Sequence, residues 1–179
     1  MRYLRVTAQD RSGSGKADSV LLHFYQKNLC EPDEVVGEAI ALDISGDGLS
    51  DFAFAADINR DGQIDQADIA LLKLFANTYL QLNWFNKGAS EQRVLCMFVG
   101  NHGKNGKPAA VCLQFHDRCE AGGKQSLVYS ATAYDGGSNG RLDSFSNTDL
   151  DRNGVADKAD KELLKTMAST FLQFKWHEK

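Results

Sequence analysis

One pattern occurs twice in this chain of 179 residues, and the repeat constrains the fold more than any other feature. Two segments rich in Asp and Gly, residues 43–51 and 57–65, recur 92 residues later as residues 135–143 and 149–157. The apolar residues that follow them recur at the same offset. A period of this kind indicates one supersecondary unit present in two copies, so both halves are expected to have the same local structure.

The repeat divides the chain into two units, residues 1–86 and 92–179, joined by a short polar linker at 87–91. Apolar residues alternate in the first part of each unit, which predicts antiparallel strands. In the last part they recur at spacings of three and four, which predicts one packed helix. Trp84 and Trp176 occupy equivalent unit ends, where we expect them to anchor a helix end to a sheet or, if exposed, to form a binding surface.

Two twelve-residue loops carry the strongest functional signal, and each runs into a predicted helix. Ca²⁺ prefers about six to eight hard oxygen ligands, which such a loop supplies from positions 1, 3, 5, 7, 9 and 12, with Gly at position 6 for the turn. The first loop offers Asp57, Asn59, Asp61, the carbonyl of Gln63, Asp65 and Asp68. The second offers Asp149, Asp151, Asn153, the carbonyl of Val155, Asp157 and Asp160. Position 12 is Asp in both loops and not the longer Glu, which leaves the choice between Ca²⁺ and Mg²⁺ open.

A shorter loop precedes each of these, between two predicted strands. The first short loop offers Asp43, Ser45, Asp47, the carbonyl of Leu49 and Asp51. Its counterpart offers Asp135, Asn139, the carbonyl of Arg141 and Asp143, and we expect it to bind a cation more weakly because Gly137 replaces a ligand. Residues 10–18 have the same outline with fewer carboxylates, so a plain hairpin turn is favoured there and metal binding stays open.

These patterns together predict an α+β fold. The expected architecture is two tandem, pseudo-equivalent units, each a small antiparallel β-sheet followed by a calcium loop and one packed helix. Asp65 and Asp157 precede the two helices, where acidic groups favour a helix N-terminus.

Residues 57–73 read Asp-Ile-Asn-Arg-Asp-Gly-Gln-Ile-Asp-Gln-Ala-Asp-Ile-Ala-Leu-Leu-Lys, and this stretch and residues 149–165 resemble the loop–helix repeats of dockerins, which are EF-hand-like. Residues 40–54 are similar to the FG-GAP-type calcium hairpins of β-propellers and adhesins. The dockerin resemblance implies calcium loops with Asp at position 12 and a cohesin-type partner. Dockerin units follow each other closely, whereas these lie 92 residues apart, so the metal positions are carried over and the cohesin partner is not.

The resulting expectation is a calcium-binding module, structural or protein-interacting, that has another protein as its partner and is not an enzyme. A calcium sensor or buffer and an accessory domain of a carbohydrate-active or adhesin system are the alternatives. The net charge of −4 argues against a nucleic-acid partner, and no apolar run is long enough for a membrane span. No signal peptide is evident, so both a cytoplasmic location and an origin in an exported bacterial protein stay open.

Overall fold

The structure is a computed structural model that describes residues 1–86, 93–104, 106–118 and 125–177. The predicted linker at 87–91 lies outside the described residues. No helix in the described ranges has the length and apolar character that crossing a membrane requires.

Eight antiparallel strands form one sheet, and two α-helices cover one of its faces. The strands are β1 (Arg2–Gln9), β2 (Ser19–Gln26), β3 (Glu34–Leu42), β4 (Phe52–Phe54), β5 (Val94–His102), β6 (Pro108–Arg118), β7 (Gln125–Tyr134) and β8 (Ser144–Phe145). The helices are α1 (Gln66–Leu80) and α2 (Lys158–Gln173), and a short 3-10 helix (Asn83–Phe85) follows α1. The strand order is β4-β3-β2-β1-β5-β6-β7-β8.

The first strands of the two halves meet at the centre of this sheet. β1 pairs with β5 in an antiparallel register that sets Leu4 opposite Met97 and Val6 opposite Leu95. The predicted fold of two tandem units, each with its own sheet, was therefore wrong. A strand edge has unpaired N–H and C=O groups, and joining β1 to β5 pairs two such edges with each other. The alternation within each strand does not reveal which edge pairs with which.

The core lies between the helices and one face of the sheet. Alternate residues of the central strands point into it and are buried, among them Leu4, Val6, Leu22, Met97 and Leu113. The helices contribute buried residues at spacings of three and four, namely Leu72, Phe75, Tyr79, Leu164, Met167 and Phe171. The helices also contact each other, so the two halves share one hydrophobic core.

The two halves exchange their C-terminal ends. Trp84, which follows α1 in the first half, packs edge-on against Phe115 and Tyr129 of the second half. Trp176, which follows α2, packs edge-on against Phe24 of the first half. Each tryptophan thus anchors its helix end to the strands of the other half. This exchange is a second reason why two self-contained units do not form.

Candidate metal centre

The loops at 57–68 and 149–160 have the same backbone conformation. Their fourth residues, Arg60 and Arg152, have φ angles of 59° and 56°, and their sixth residues, Gly62 and Gly154, have φ angles of 90° and 99°. A positive φ is accessible to Gly at little cost and is uncommon for other residues. The glycine at position 6 is therefore required by the turn.

The aspartate at position 1 holds each turn closed through backbone donors. The side chain of Asp57 accepts hydrogen bonds from the N–H groups of Asp61 (3.1 Å) and Gly62 (2.9 Å). Asp149 accepts the equivalent bonds from Asn153 (3.1 Å) and Gly154 (2.9 Å). These bonds aim the carboxylates into the turn, where a ligand set has to converge.

The aspartate at position 12 joins each loop to its helix. Asp160 Oδ1 accepts from the N–H groups of Leu150 (2.6 Å) and Asp151 (3.0 Å), while Oδ2 accepts from Asp157 (2.8 Å). Asp68 makes the same three bonds, to Ile58, Asn59 and Asp65, in the first loop. Both carboxylates are buried, with exposed fractions of 0% for Asp68 and 2% for Asp160. Within the described residues, neither forms an ion pair.

Burial of the Asp160 carboxyl opposes its ionisation, but the N–H groups of Asp157, Asp151 and Leu150 donate to it and lower its pKa below the ordinary value for aspartate. The group is therefore a buried anion at neutral pH that is held by dipoles and not by a countercharge. A divalent cation bound there would supply the countercharge.

Three carboxylates of the second loop converge in space. Each of Asp149, Asp151 and Asp160 has a carboxylate oxygen within 4.8 Å of an oxygen of the other two. This spacing permits one metal ion to contact all three. In the first loop position 3 is Asn59, which offers an amide oxygen in place of the third carboxylate. Hard oxygen donors of this kind suit Ca²⁺ or Mg²⁺ and not the softer metals that Cys and His bind.

Positions 3 and 5 hold one Asp and one Asn in both loops, in opposite order, and the two side chains bond to each other. Asn59 Nδ2 donates to Asp61 Oδ2 at 2.9 Å, and Asn153 Nδ2 donates to Asp151 Oδ2 at 3.0 Å. Each loop therefore carries the same number of carboxylates although the order differs.

The aspartates at position 9 have a further role. Asp65 and Asp157 are the N-caps of α1 and α2, where they accept from the N–H groups of Ala67 and Ala159 at 2.7 Å each. With the aspartate three residues later, each forms a capping box. Gln63 and Val155, whose carbonyls were predicted as ligands at position 7, are exposed.

The short loop at 43–51 is a tight hairpin between β3 and β4. Asp43 accepts from the N–H groups of Gly46 (2.7 Å) and Gly48 (2.8 Å), and Asp51 accepts from those of Ile44 (2.7 Å) and Ser45 (2.8 Å). The N–H of Ser45 lowers the pKa of Asp51 more than any other group does. Asp47 accepts from the N–H of Leu49, so the predicted ligands of this loop all lie in one closed turn.

The turn at 135–143 is closed in the same way, by backbone N–H groups that donate to two aspartates, but with fewer such donors. Asp135 accepts from Asn139 (2.9 Å) and Gly140 (2.6 Å), and Asp143 accepts from Gly136 (2.8 Å). The Asn139 side chain accepts from Arg141 N–H. The side chain of Lys107 lies against Gly140, where an added Cβ would come within 2.7 Å of Cδ. A neighbouring cation opposes metal binding, in addition to the ligand that Gly137 removes.

The loop at 10–18, between β1 and β2, has the same hydrogen-bond scheme. Asp10 accepts from Ser14 (3.0 Å) and Gly15 (2.7 Å), and Asp18 accepts from Arg11 (3.0 Å) and Ser12 (2.8 Å). The sequence indicates this shared scheme, because Asp10 and Asp18 have the same spacing as the outer aspartates of the short loops. These hydrogen bonds close the turn that links β1 and β2.

The sequence did not predict that tryptophans outside the twelve-residue loops contact arginines within them. The guanidinium of Arg60 lies 4.8 Å from the ring centroid of Trp176, and that of Arg152 lies 4.8 Å from Trp84. Both contacts cross between the halves. The sequence contains a signal for these contacts, because Arg recurs at position 4 of both loops and Trp recurs at the end of both units.

Comparison of the chain with protein-family models, curated proteins and solved structures finds no match.

Proposed function

We propose that the loops at 57–68 and 149–160 each bind one Ca²⁺ ion and that the bound ions stabilise the fold as a structural module. The observation that carries this proposal is the convergence of the Asp149, Asp151 and Asp160 carboxylates within 4.8 Å. Three carboxylates this close repel each other, and a divalent cation between them offsets that repulsion.

The donor chemistry favours Ca²⁺ over Mg²⁺. Mg²⁺ demands a near-octahedral shell, retains several waters and uses few protein ligands, whereas Ca²⁺ accepts many oxygens in irregular geometry. Each loop offers side-chain oxygens at positions 1, 3, 5 and 12 and a carbonyl at position 7, from Gln63 or Val155. That number of protein oxygens from a single turn suits the larger ion.

A structural role is favoured over that of a calcium sensor. A sensor exposes apolar helix faces when it binds metal. Here those faces form the centre of the core, where Leu72, Phe75, Met167 and Phe171 are all 0% exposed. Displacing the helices would open the core shared by both halves, so bound metal is expected to hold the structure together and not to rearrange it.

Isothermal titration calorimetry and thermal melting of the full chain, in Ca²⁺ and in chelator, test the proposal. A ligand that binds only the folded state at about 100 times its Kd adds about 2.7 kcal/mol per site. In a chain of this size that raises Tm by about 5–10 °C per site. We expect Asp57→Asn and Asp149→Asn each to remove one binding event and part of the shift.

Glu162→Gln is the matched control, because it removes one negative charge from the exposed side of α2, where Glu162 pairs with Lys165, and leaves the loop intact. It should bind Ca²⁺ as the parent chain does. Equal melting temperatures with and without chelator, together with no heat of binding, would sink the proposal.

A further inference from the structure

Each tryptophan lies among arginines of the opposite half. The ring of Trp176 has the guanidinium carbons of Arg2 and Arg60 at 4.8 Å from its centroid. The ring of Trp84 has those of Arg93 at 4.5 Å and Arg152 at 4.8 Å. A guanidinium within about 6 Å of an indole centroid is attracted to the face of the ring.

Both rings are also held by contacts that do not involve the arginines of the loops. Trp176 is 4% exposed, and its Nε1 donates to the carbonyls of Tyr3 (3.1 Å) and Tyr25 (3.2 Å). Trp84 is 6% exposed and lies against Phe115 and Tyr129. The rings are therefore fixed platforms on the sheet of the other half.

At each platform, one of the two arginines lies inside a loop. Arg60 follows Asn59 and precedes Asp61, so it sits between the side chains at positions 3 and 5. Arg152 lies in the same way between Asp151 and Asn153, and both arginines adopt the left-handed backbone conformation. A shift of either arginine therefore moves the two neighbouring oxygen donors.

A second contact across the halves supports the loop at 149–160. Asn83, which adjoins Trp84 in the first half, donates from Nδ2 to the carbonyl of Asp151 at 2.7 Å. This loop is thus tied to the first half by its backbone at position 3 and by its side chain at position 4.

We infer that Trp176 is a positioning residue for the metal loop at 57–68, and that Trp84 is a positioning residue for the loop at 149–160. Each ring holds the arginine at position 4 and so fixes the oxygens on either side of it. This inference rests on the proposed binding of Ca²⁺. It adds that each site is completed by the half of the chain that does not contain it.

The chain has two tryptophans, so each can be observed separately. The test is a CaCl₂ titration of tryptophan emission in full-length Trp84→Phe, which retains Trp176, and in Trp176→Phe, which retains Trp84. We expect the emission of Trp176 to respond to Ca²⁺, to stop responding when Asp57→Asn is added, and to keep responding with Asp149→Asn. The emission of Trp84 should show the reverse dependence.

Affinity gives a second readout through variants that keep the charge. Arg60→Lys preserves the positive charge next to the ion but loses the planar stack. We expect it to weaken Ca²⁺ binding at residues 57–68 by about three- to tenfold, the range of an exposed to partly buried cation–π contact. Its binding at residues 149–160 should not change. Arg152→Lys should weaken Ca²⁺ binding at residues 149–160 and leave binding at residues 57–68 unchanged. Arg11→Lys is the control, because Arg11 stacks on neither tryptophan.

Calorimetry on the same samples separates the possible failures. If Ca²⁺ binds with heat but each tryptophan responds to the loop of its own half, or to neither loop, the inference is wrong and the proposed function stands. If no heat is seen and the melting temperature is the same in Ca²⁺ and in chelator, both are wrong. Should a Trp→Phe variant not fold, the two Arg→Lys affinities decide the question, and equal affinities in Arg60→Lys and the parent chain overturn the inference.

Discussion

Two buried carboxylates, Asp68 and Asp160, have the greatest consequences for this molecule at the scale of single residues. Each accepts three backbone N–H bonds and links the start of a loop to the start of a helix. Hydrogen bonds to an ionised acceptor are stronger than neutral ones. These residues therefore stabilise the fold even when no metal is bound.

Asp160→Asn should destabilise the protein in chelator by about 2–3 kcal/mol, because the amide keeps one acceptor oxygen and sets an N–H donor against backbone donors. Chemical denaturation in chelator measures this cost. Asp68→Asn should behave alike, whereas Glu162→Gln should change the free energy of unfolding by less than about 0.5 kcal/mol. An Asp160→Asn protein as stable as the parent would contradict this account of the loop.

Acid should destabilise the metal-free protein through Asp18 and Asp160. Burial raises the pKa of each carboxyl, but backbone N–H donors lower it by a larger amount, so the net pKa is below the ordinary value for aspartate. For Asp18 these donors are the N–H groups of Arg11 and Ser12. A carboxyl with a depressed folded-state pKa contributes stability above its unfolded pKa and loses it as the pH falls through the folded value.

Urea unfolding in chelator, from neutral to acidic pH, measures this dependence. Asp18→Asn should be less stable than the parent at neutral pH, and the difference should shrink as the pH falls. A difference that stays constant over the whole range would show that ionisation of Asp18 does not contribute.

At the scale of elements, the two helices begin where the sequence predicts. Acidic residues in a first turn and apolar spacings of three and four place α1 after Asp65 and α2 after Asp157, and both aspartates are N-caps. Local chemistry decides these starts. The same holds for the glycines at position 6, since the turn requires a positive φ.

Asp157→Ala should cost about 1 kcal/mol because the N–H of Ala159 loses its acceptor. Asp157→Ser should restore most of that stability, since Ser is an equally good N-cap. Thermal melting of both variants in chelator makes the comparison. Equal melting temperatures for the Ala and Ser variants would mean that the cap does not contribute.

The pairing of strands between the two halves could not be predicted from the sequence. β1 alternates apolar and polar residues, and this pattern is the same whether its free edge pairs with β5 or faces solvent. The repeat made two separate sheets the simplest expectation. Burying the edges of both halves against each other is a property of the assembled chain, and so is the position of each tryptophan on the opposite half.

At the scale of the whole molecule, the shared sheet and core predict that the halves unfold together. Urea denaturation followed by far-UV circular dichroism and by tryptophan emission should give coincident single transitions. The reason is that each half lacks its own tryptophan anchor and has an edge strand paired with the other half. Two separate transitions would show that the halves are independent domains.

The central claim is that the loops at 57–68 and 149–160 hold Ca²⁺. A crystal structure of the full chain grown in CaCl₂, with anomalous scattering to identify the ions, tests it most directly. We predict one ion in each loop, with oxygens of Asp57 and Asp68 and of Asp149 and Asp160 at about 2.3–2.6 Å. Loops that keep the same hydrogen bonds but hold no ion at millimolar Ca²⁺ would contradict the claim.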